Sequence, residues 1–357
     1  MHLTELTCTA FRSLSSVRLV PKQGLNVIRG DNAQGKTSVL EAVLYLATSK
    51  SHRTNADNEL AQYGSPGFYL ACKATRSDRD VQLEASMKES AKRFRVNGIP
   101  QERVSDILGK LIVVLFSPED IQLVKGGASL RRRFMDMELS QVQPRYLGAL
   151  QRYRQALRQR NQLLKGHAPD IRQVEVWDEQ LADHGTIVQE ERARFVAELG
   201  ARTTAAYQRI AEAEELTLQY QPDIREGDTL KDVLARGRES DIRRGQTSHG
   251  PHRDDFEFLI NAKPARAFAS QGQQKSAALA LKLAEMDVVF ERTQEYPVLM
   301  LDDVFSELDR YRSARVIATL PPGVQCLVTT TEMNERIDLF GEGCAYFTIE
   351  GGELHAA

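Results

Sequence analysis

Cysteine is sparse in this chain of 357 residues: Cys8, Cys72, Cys326 and Cys344 lie far apart and form no CxxC pair. That spacing argues against a zinc site or a disulfide framework and fits a reducing compartment. Long apolar runs are missing too, none approaching the roughly 18 residues that a membrane-spanning helix needs. The opening Met1-His2-Leu3-Thr4-Glu5-Leu6 lacks the basic and apolar regions of a secretory signal, so a cytoplasmic protein is expected. Neither charge is in large excess, with 47 Lys and Arg against 49 Asp and Glu and a net charge of −2. A globally basic nucleic-acid coat is thereby excluded, although a local basic patch is not. Internal repeats and low-complexity tracts are absent. What remains is 41% apolar and 27% charged, enough to bury a core in one large domain or two to three ordinary ones.

Short apolar runs open the chain at Leu3 to Phe11, Val17 to Val20 and Leu25 to Arg29, with Pro21-Lys22-Gln23-Gly24 between the last two. The pattern is strand, turn, strand. Val39, Leu40, Val43 and Leu44 then recur at helical spacing, so a helix starts at the preceding glycine loop. Residues 68–116 alternate short strand-like runs with polar turns such as Asn97-Gly98 and end in the buried-looking Leu111 to Phe116. From 119 to 215 the character becomes helical. Tyr146, Leu150, Tyr153, Leu157 and Leu164 make one seam, and Val174, Trp177, Leu181, Val188, Phe195, Leu199, Ala206 and Ile210 another, separated by Gly166-His167-Ala168-Pro169-Asp170. Two heptad-patterned helices predict an antiparallel hairpin. Strand character returns at Leu216 to Tyr220 and Phe256 to Ile260. A helix over 274–292 and a strand at Val298 to Leu301 follow, then a helix near 310–320 and a strand over 325–329. The expected organisation is an α/β head, residues 1–118 and 216–357, split by a helical arm over 119–215.

Gly30-Asp31-Asn32-Ala33-Gln34-Gly35-Lys36-Thr37 matches GxxxxGK[ST] between a predicted strand and a predicted helix. Glycines let backbone N–H groups wrap phosphates, and the helix start adds its positive dipole end. Lys36 would reach the β- and γ-phosphates of ATP, and Thr37 would ligate Mg²⁺. Such a site needs a second metal-side carboxylate at the end of a neighbouring strand, and Val298-Leu299-Met300-Leu301-Asp302-Asp303 has it. Asp302 would hold Mg²⁺ through water, and Asp303 would orient or activate the attacking water. Ala269-Ser270-Gln271-Gly272-Gln273 opens the helix between these motifs. It resembles the ABC-ATPase signature Leu-Ser-Gly-Gly-Gln at Ser270, Gly272 and Gln273 and departs from it at Ala269 and Gln271. A hydroxyl and free N–H groups at a helix start can cradle a second face of the γ-phosphate; the same residues can equally form an ordinary Ser N-cap.

Further motifs extend the pattern: Phe11-Arg12-Ser13, Leu40-Glu41-Ala42, Ser51-His52-Arg53, Phe116-Ser117-Pro118-Glu119-Asp120, Arg131-Arg132-Arg133-Phe134-Met135-Asp136, Gly250-Pro251-His252-Arg253-Asp254 and Leu301 to Asp309. Together and in this order they resemble the RecF family of bacterial recombination-mediator ATPases, within the ABC-type and SMC-like ATPases. The resemblance implies an ABC-ATPase head, ATP-dependent homodimerisation on DNA, and loading of the RecA recombinase at gaps with mediators of the RecO and RecR type. It also implies a role in replication restart and the SOS response, and a slow, DNA-stimulated ATPase. Ser306-Glu307-Leu308-Asp309 resembles the D-loop, which would put Asp309 at a dimer interface. Departures from the wider ABC pattern stand out. The switch-histidine position falls at Thr329-Thr330-Thr331, no Q-loop glutamine follows the strand before the arm, and Asp303 stands where many relatives have Glu. Slow hydrolysis, suited to a switch more than a motor, is expected.

From Ser129 to Lys165 nine Lys and Arg face two acids. Arg131, Arg132, Arg133, Arg152 and Arg158 are the candidate DNA contacts, against the plainer reading of a solvated helix face. Tyr146 and Tyr153 lie on the seam and are expected to pack, and His249 and His252 to serve a structural turn. An ABC transporter subunit is disfavoured by the 265 residues between Lys36 and Asp302. An SMC-type tether would need far longer coiled coils.

Overall fold

The computed structural model describes residues 1–89, 91–166, 169–211, 214–307, 310–331 and 343–356. Two compact units divide the chain, Met1–Asp120 with Lys282–Ala357, and Ile121–Leu281.

The first unit opens with β1 (His2–Phe11), β2 (Leu14–Leu19), β3 (Leu25–Arg29), α1 (Lys36–Thr48), β4 (Gly67–Thr75), β5 (Asp80–Lys88), β6 (Ala91–Val96), β7 (Ile99–Gln101) and β8 (Val113–Phe116). One six-stranded sheet runs β2-β1-β4-β5-β6-β7, every pair antiparallel. Its strands alternate as a one-sided sheet should: Phe68, Leu70, Cys72 and Ala74 of β4 are buried, and the residues between them are not. α1 carries apolar or small residues nearly all round and is buried accordingly. It packs on the inner face of that sheet and on β8, in one core that joins Phe11, Tyr45, Phe68 and Phe94 through edge-on and stacked ring contacts.

The second unit begins with α2 (Ile121–Lys125), α3 (Ala128–Val142), α4 (Pro144–Leu164) and α5 (Ile171–Ile210). Pro at the first helical position starts α4. The Asp170 carboxylate accepts from the Arg172 N–H to cap α5. α4 and α5 pack as the expected hairpin, with Tyr146, Leu150, Tyr153, Leu164, Val174, Leu181, Val188, Phe195 and Leu199 all buried. α5 is continuous for 40 residues, about 60 Å at 1.5 Å per residue. β9 (Leu216–Gln221), α6 (Leu230–Arg244), β10 (Asp255–Ile260), β11 (Lys263–Pro264) and α7 (Ala265–Phe268) follow, and α8 spans Gln271–Thr293. The expected return to the head at residue 216 needs correction, because β9 to α7 belong with the helices. The reason is aromatic burial. Phe134 of α3 meets Phe195 of α5 and Phe256 of β10, each at 6.2 Å between ring centroids. The β11-β10-β9 sheet thus covers α3 and α5.

Lys282 returns the chain to the first unit. β12 (Val298–Asp302), α9 (Arg310–Thr319), β13 (Cys326–Thr330), β14 (Ala345–Glu350) and β15 (Glu353–Ala356) complete it. The second six-stranded sheet runs β15-β14-β3-β13-β12-β8, parallel except for β14 with β15. β8, β12 and β13 are buried at every position, as strands covered on both faces must be. No helix among the described residues is long and apolar enough to cross a membrane.

Candidate active site

β3, β12 and β13 end at the same edge of the parallel sheet, which brings residues 30–37 and 302–303 together although 265 positions separate Thr37 from Asp302. Two glycines of the loop are sterically required. A Cβ on Gly30 would lie 2.4 Å from the Ile349 carbonyl of β14. One on Gly35, whose φ is +111°, would lie 2.8 Å from Leu14 Cδ2 and 2.9 Å from Ser13 Oγ. The Gly351 N–H donates to Gln34 Oε1 at 2.7 Å, so the β14–β15 turn holds the loop from the other side. α1 begins at Lys36 without a side-chain cap, leaving its first N–H groups pointing into the loop.

Lys36 is buried, with Nζ donating to the carbonyls of Gly30 at 2.6 Å and Asp31 at 2.8 Å. Burial draws its pKa below the ordinary lysine value, while the carboxylates of Asp303, Asp302 and Asp31 oppose that shift. Thr37 Oγ1 donates to Asp302 Oδ1 at 2.9 Å. Thr329 Oγ1 donates to the same oxygen at 2.7 Å and accepts from the Asp303 N–H at 2.9 Å. At the position of the absent switch histidine, then, a hydroxyl holds the Asp302 carboxylate and the Asp303 backbone. Asp303 has φ +50°, in the left-handed region that a non-glycine residue enters only when its surroundings enforce it. Thr37 and Asp302 offer the hard oxygens that suit Mg²⁺, and Lys36 with the N-terminus of α1 suits a polyphosphate.

Sequence reasoning missed the brace behind this loop. Glu41, fully buried on α1, accepts two bonds from Arg12, at 3.0 and 2.7 Å, and one from Ser51 Oγ at 2.5 Å. Burial raises the Glu41 pKa, but hydrogen bonds from Arg12 and Ser51 outweigh it and hold the carboxyl below the ordinary range. A depressed value means stability that is present above the unfolded-state pKa and lost as pH falls through the folded one. Glu41→Gln should lower the urea midpoint at pH 7 and flatten the parent's decline in the acid range, as pH falls below the ordinary glutamate pKa of about 4.5. A parallel decline in both proteins counts against this pair. The signal in the sequence was the Arg12, Glu41 and Ser51 spacing, which periodicity alone does not connect.

Ser270 is exposed and caps α8: its Oγ accepts from the Gln273 N–H at 3.2 Å, and Gln273 Oε1 accepts from the Ser270 N–H at 2.7 Å. This is a reciprocal capping box, so the plainer reading of these residues holds in the single chain. It does not account for Gly272, where an added Cβ would meet nothing closer than Ser270 Oγ at 4.0 Å. Leu308 and Asp309 lie outside the described residues.

The basic stretch is less available than its count suggests. Arg131 is buried, donating Nε and Nη2 to the two Asp255 oxygens at 2.7 Å each and Nη1 to the carbonyls of Leu123 and Gly126. Arg132 donates to the Asp254 carbonyl at 2.8 Å. Arg131 is therefore removed from the DNA contacts, and Arg132 is occupied. Arg160, also within the stretch, is buried against Asp178 and Asp241. Arg133, Arg152 and Arg158 are exposed. Arg131→Ala strands Asp255 and should cost about 3 kcal/mol or more, read as a shift in the urea midpoint; a change under about 0.5 kcal/mol would return Arg131 to the surface. Tyr146 and Tyr153 are buried seam residues, and Tyr153 Oη meets His252 Nδ1 at 2.6 Å. No cluster of His, Cys, Asp or Glu able to hold a metal occurs among the described residues.

A parallel sheet with a P-loop and a strand-end Asp pair, beside an antiparallel sheet in a unit that the helical segment splits in sequence, defines an ABC-type ATPase head. The chain belongs to the RecF family: the family model described as RecF/RecN/SMC N terminal domain matches residues 2–338. A DNA replication and repair protein RecF of Shouchella clausii is 39% identical over 98% of both chains. One of Streptococcus uberis is 40% identical over the whole of each. The solved structure of the recombination mediator protein RecF-ATP in the RecFOR pathway superposes with a TM-score of 0.93 at 33% identity, covering 100% of this chain and 97% of that one. An Smc head bound to the C-winged helix domain of ScpA superposes at 0.61 with 15% identity, a likeness of fold.

Proposed function

We propose that this protein is an ATP-dependent DNA-binding switch of recombinational repair and replication restart. It closes as a homodimer on DNA when ATP is bound and helps to load a RecA-type recombinase at gaps with partners of the RecO and RecR type. The observation that carries the ATPase part is the 2.9 Å bond from Thr37 Oγ1 to Asp302 Oδ1 beside the buried Lys36. The repair role rests on relatives of full length that carry that name.

Lys36 leaves the Gly30 and Asp31 carbonyls for the β- and γ-phosphates, and backbone N–H groups from Asn32 to Thr37 hold the remaining oxygens. Thr37 and Asp302 hold Mg²⁺, which neutralises charge on the phosphate oxygens when bound. Asp303 orients the attacking water and accepts its proton. Ser270, Gly272 and Gln273 of a second copy complete the site, a role favoured by the open space around Gly272. Turnover is slow: the base is one methylene shorter than Glu, and Thr329, committed to Asp302, is no substitute for a switch histidine. DNA is gripped in part by Arg133, Arg152 and Arg158, exposed cations on α3 and α4.

Gel shifts with ATP, ADP and a non-hydrolysable analogue on duplex and gapped DNA test the reading. ATP and the analogue should tighten binding and ADP should not; equal binding in all three states defeats the switch. Arg152→Ala with Arg158→Ala should lower affinity on every sequence and reduce the salt slope by about 1 to 2. An unchanged slope leaves α4 a solvated face.

A further inference from the structure

Every outward position of β1, β4, β5 and β6 is half-buried or exposed, so among the described residues no element seals the outer face of the antiparallel sheet. Strand register lines up one row across it: Ser16 with Thr9, Thr9 with Tyr69, Tyr69 with Ser86, and Ser86 with Arg93. Residues directly paired across antiparallel strands share a face. This row therefore presents hydroxyls, an aromatic ring and a guanidinium along about 19 Å, four strand spacings of about 4.8 Å. A cavity of about 710 Å³ lies on it, lined by Thr9, Ser65, Tyr69, Ser86, Lys88 and Arg93 among others. Tyr63, in the turn that feeds β4, is fully exposed, and Tyr69 is partly so.

Charge on this face is uneven. Arg18 and Lys73 both clamp Glu5, at 2.7 and 2.8 Å. Arg95 and the Tyr69 hydroxyl share Glu84, at 3.9 and 3.1 Å. Lys88 and Arg93, by contrast, have no carboxylate within ion-pair distance among the described residues, and both are exposed. Lys88 and Arg93 line the cavity together with Tyr69, and Glu89 is the one carboxylate among its lining residues, so the cavity carries a net positive charge.

We propose that the Ser16–Thr9–Tyr69–Ser86–Arg93 row, with Lys88 and Tyr63, binds single-stranded nucleic acid. Lys88 and Arg93 pair with backbone phosphates, and the Tyr63 and Tyr69 rings stack on unpaired bases. Serine and threonine hydroxyls donate to phosphate and sugar oxygens. Aromatic stacking combined with a few free cations suits a single strand, because duplex bases are stacked on one another and present no face to a tyrosine. The inference rests on the DNA-binding reading above and adds a surface separate from α3 and α4.

Fluorescence anisotropy on the full chain with ATP and Mg²⁺ tests it, using a labelled oligo-dT of about 20 nucleotides, longer than the row requires, and a blunt duplex of equal length. Lys88→Ala with Arg93→Ala should reduce the oligo-dT salt slope by about 1.4, two contacts at about 0.7 each. Tyr63→Ser with Tyr69→Ser should weaken oligo-dT binding about tenfold or more and leave the duplex within about twofold. Tyr69→Phe keeps the ring, Arg18→Ala with Lys73→Ala removes compensated cations, and both should bind oligo-dT like the parent. Should the double tyrosine variant melt early, Tyr63→Ser alone, at a fully exposed position, carries the test with a severalfold loss. A parent that binds oligo-dT while both pairs match it overturns the surface alone. Equal loss on duplex, or competition by poly-glutamate as strong as by unlabelled oligo-dT, overturns the single-strand assignment. A parent that binds neither DNA ends the DNA-binding reading and this inference with it.

Discussion

Asp303→Asn should slow ATP turnover about a hundredfold or more while nucleotide affinity stays within about threefold. The amide keeps the shape of the side chain and removes its basicity. The backbone that aims it is fixed independently, by the N–H bond to Thr329 Oγ1 and by a left-handed φ at the end of a fully buried strand. Lys36→Met should act on the other parameter. Its ammonium is the buried cation of the loop, so its loss should weaken ATP binding by about two orders of magnitude, near 3 kcal/mol. Phosphate release and titration of a fluorescent ATP analogue separate the two effects. Parental turnover in Asp303→Asn would remove the water-orienting role from Asp303. An effect of Lys36→Met on turnover with affinity intact would reverse its assignment.

The loop and the acid pair were legible because their chemistry is local. A phosphate cradle is a contiguous run of residues, and β12 announces itself by apolar residues followed by two acids. The heptad seams of α4 and α5 were legible for the same reason, since burial repeats at a fixed spacing. Ion pairing between distant segments is not periodic, which is why the stretch around Arg131 read as a cationic face. Nothing near Arg131 in sequence reveals Asp255, 124 residues on. Arg160, counted in the same basic stretch, is likewise committed to distant partners, Asp178 of α5 and Asp241 of α6. α6 itself went unread because its few apolar contacts rest on Leu230 and Leu234 amid charge. Its Thr229 cap with Asp232 and its terminal Gly245 were the available signals. The β14–β15 hairpin also had a signal, Gly351-Gly352 between alternating residues, yet its value to the site lies in pairing with β3, which only topology supplies.

Mixing two inactive variants should restore activity if the site is built from two copies. Ser270→Arg puts a long cation at an exposed helix start, so the monomer should fold and still bind ATP, while the γ-phosphate side of a second copy is refused. The single chain leaves room for that approach: Ser270 Oγ accepts from Gln273 and keeps its proton to donate outward, and Gly272 faces open space. ADP lacks the group this cradle would touch, so only ATP should favour the closed dimer. Lys36→Met fails for the opposite reason, through its own loop. In a two-fold dimer of one copy of each, one site collects both lesions and the other pairs an intact Lys36 with an intact Ser270. Random pairing makes half the dimers mixed, each with one working site, so turnover should recover to about a quarter of the parental value. Each variant alone should stay near background. A site complete within one chain cannot show this rescue, because every chain in the mixture carries a lesion. Background turnover in a mixture whose mixed dimers are verified by cross-linking would leave Ser270 as the cap of α8 and nothing more.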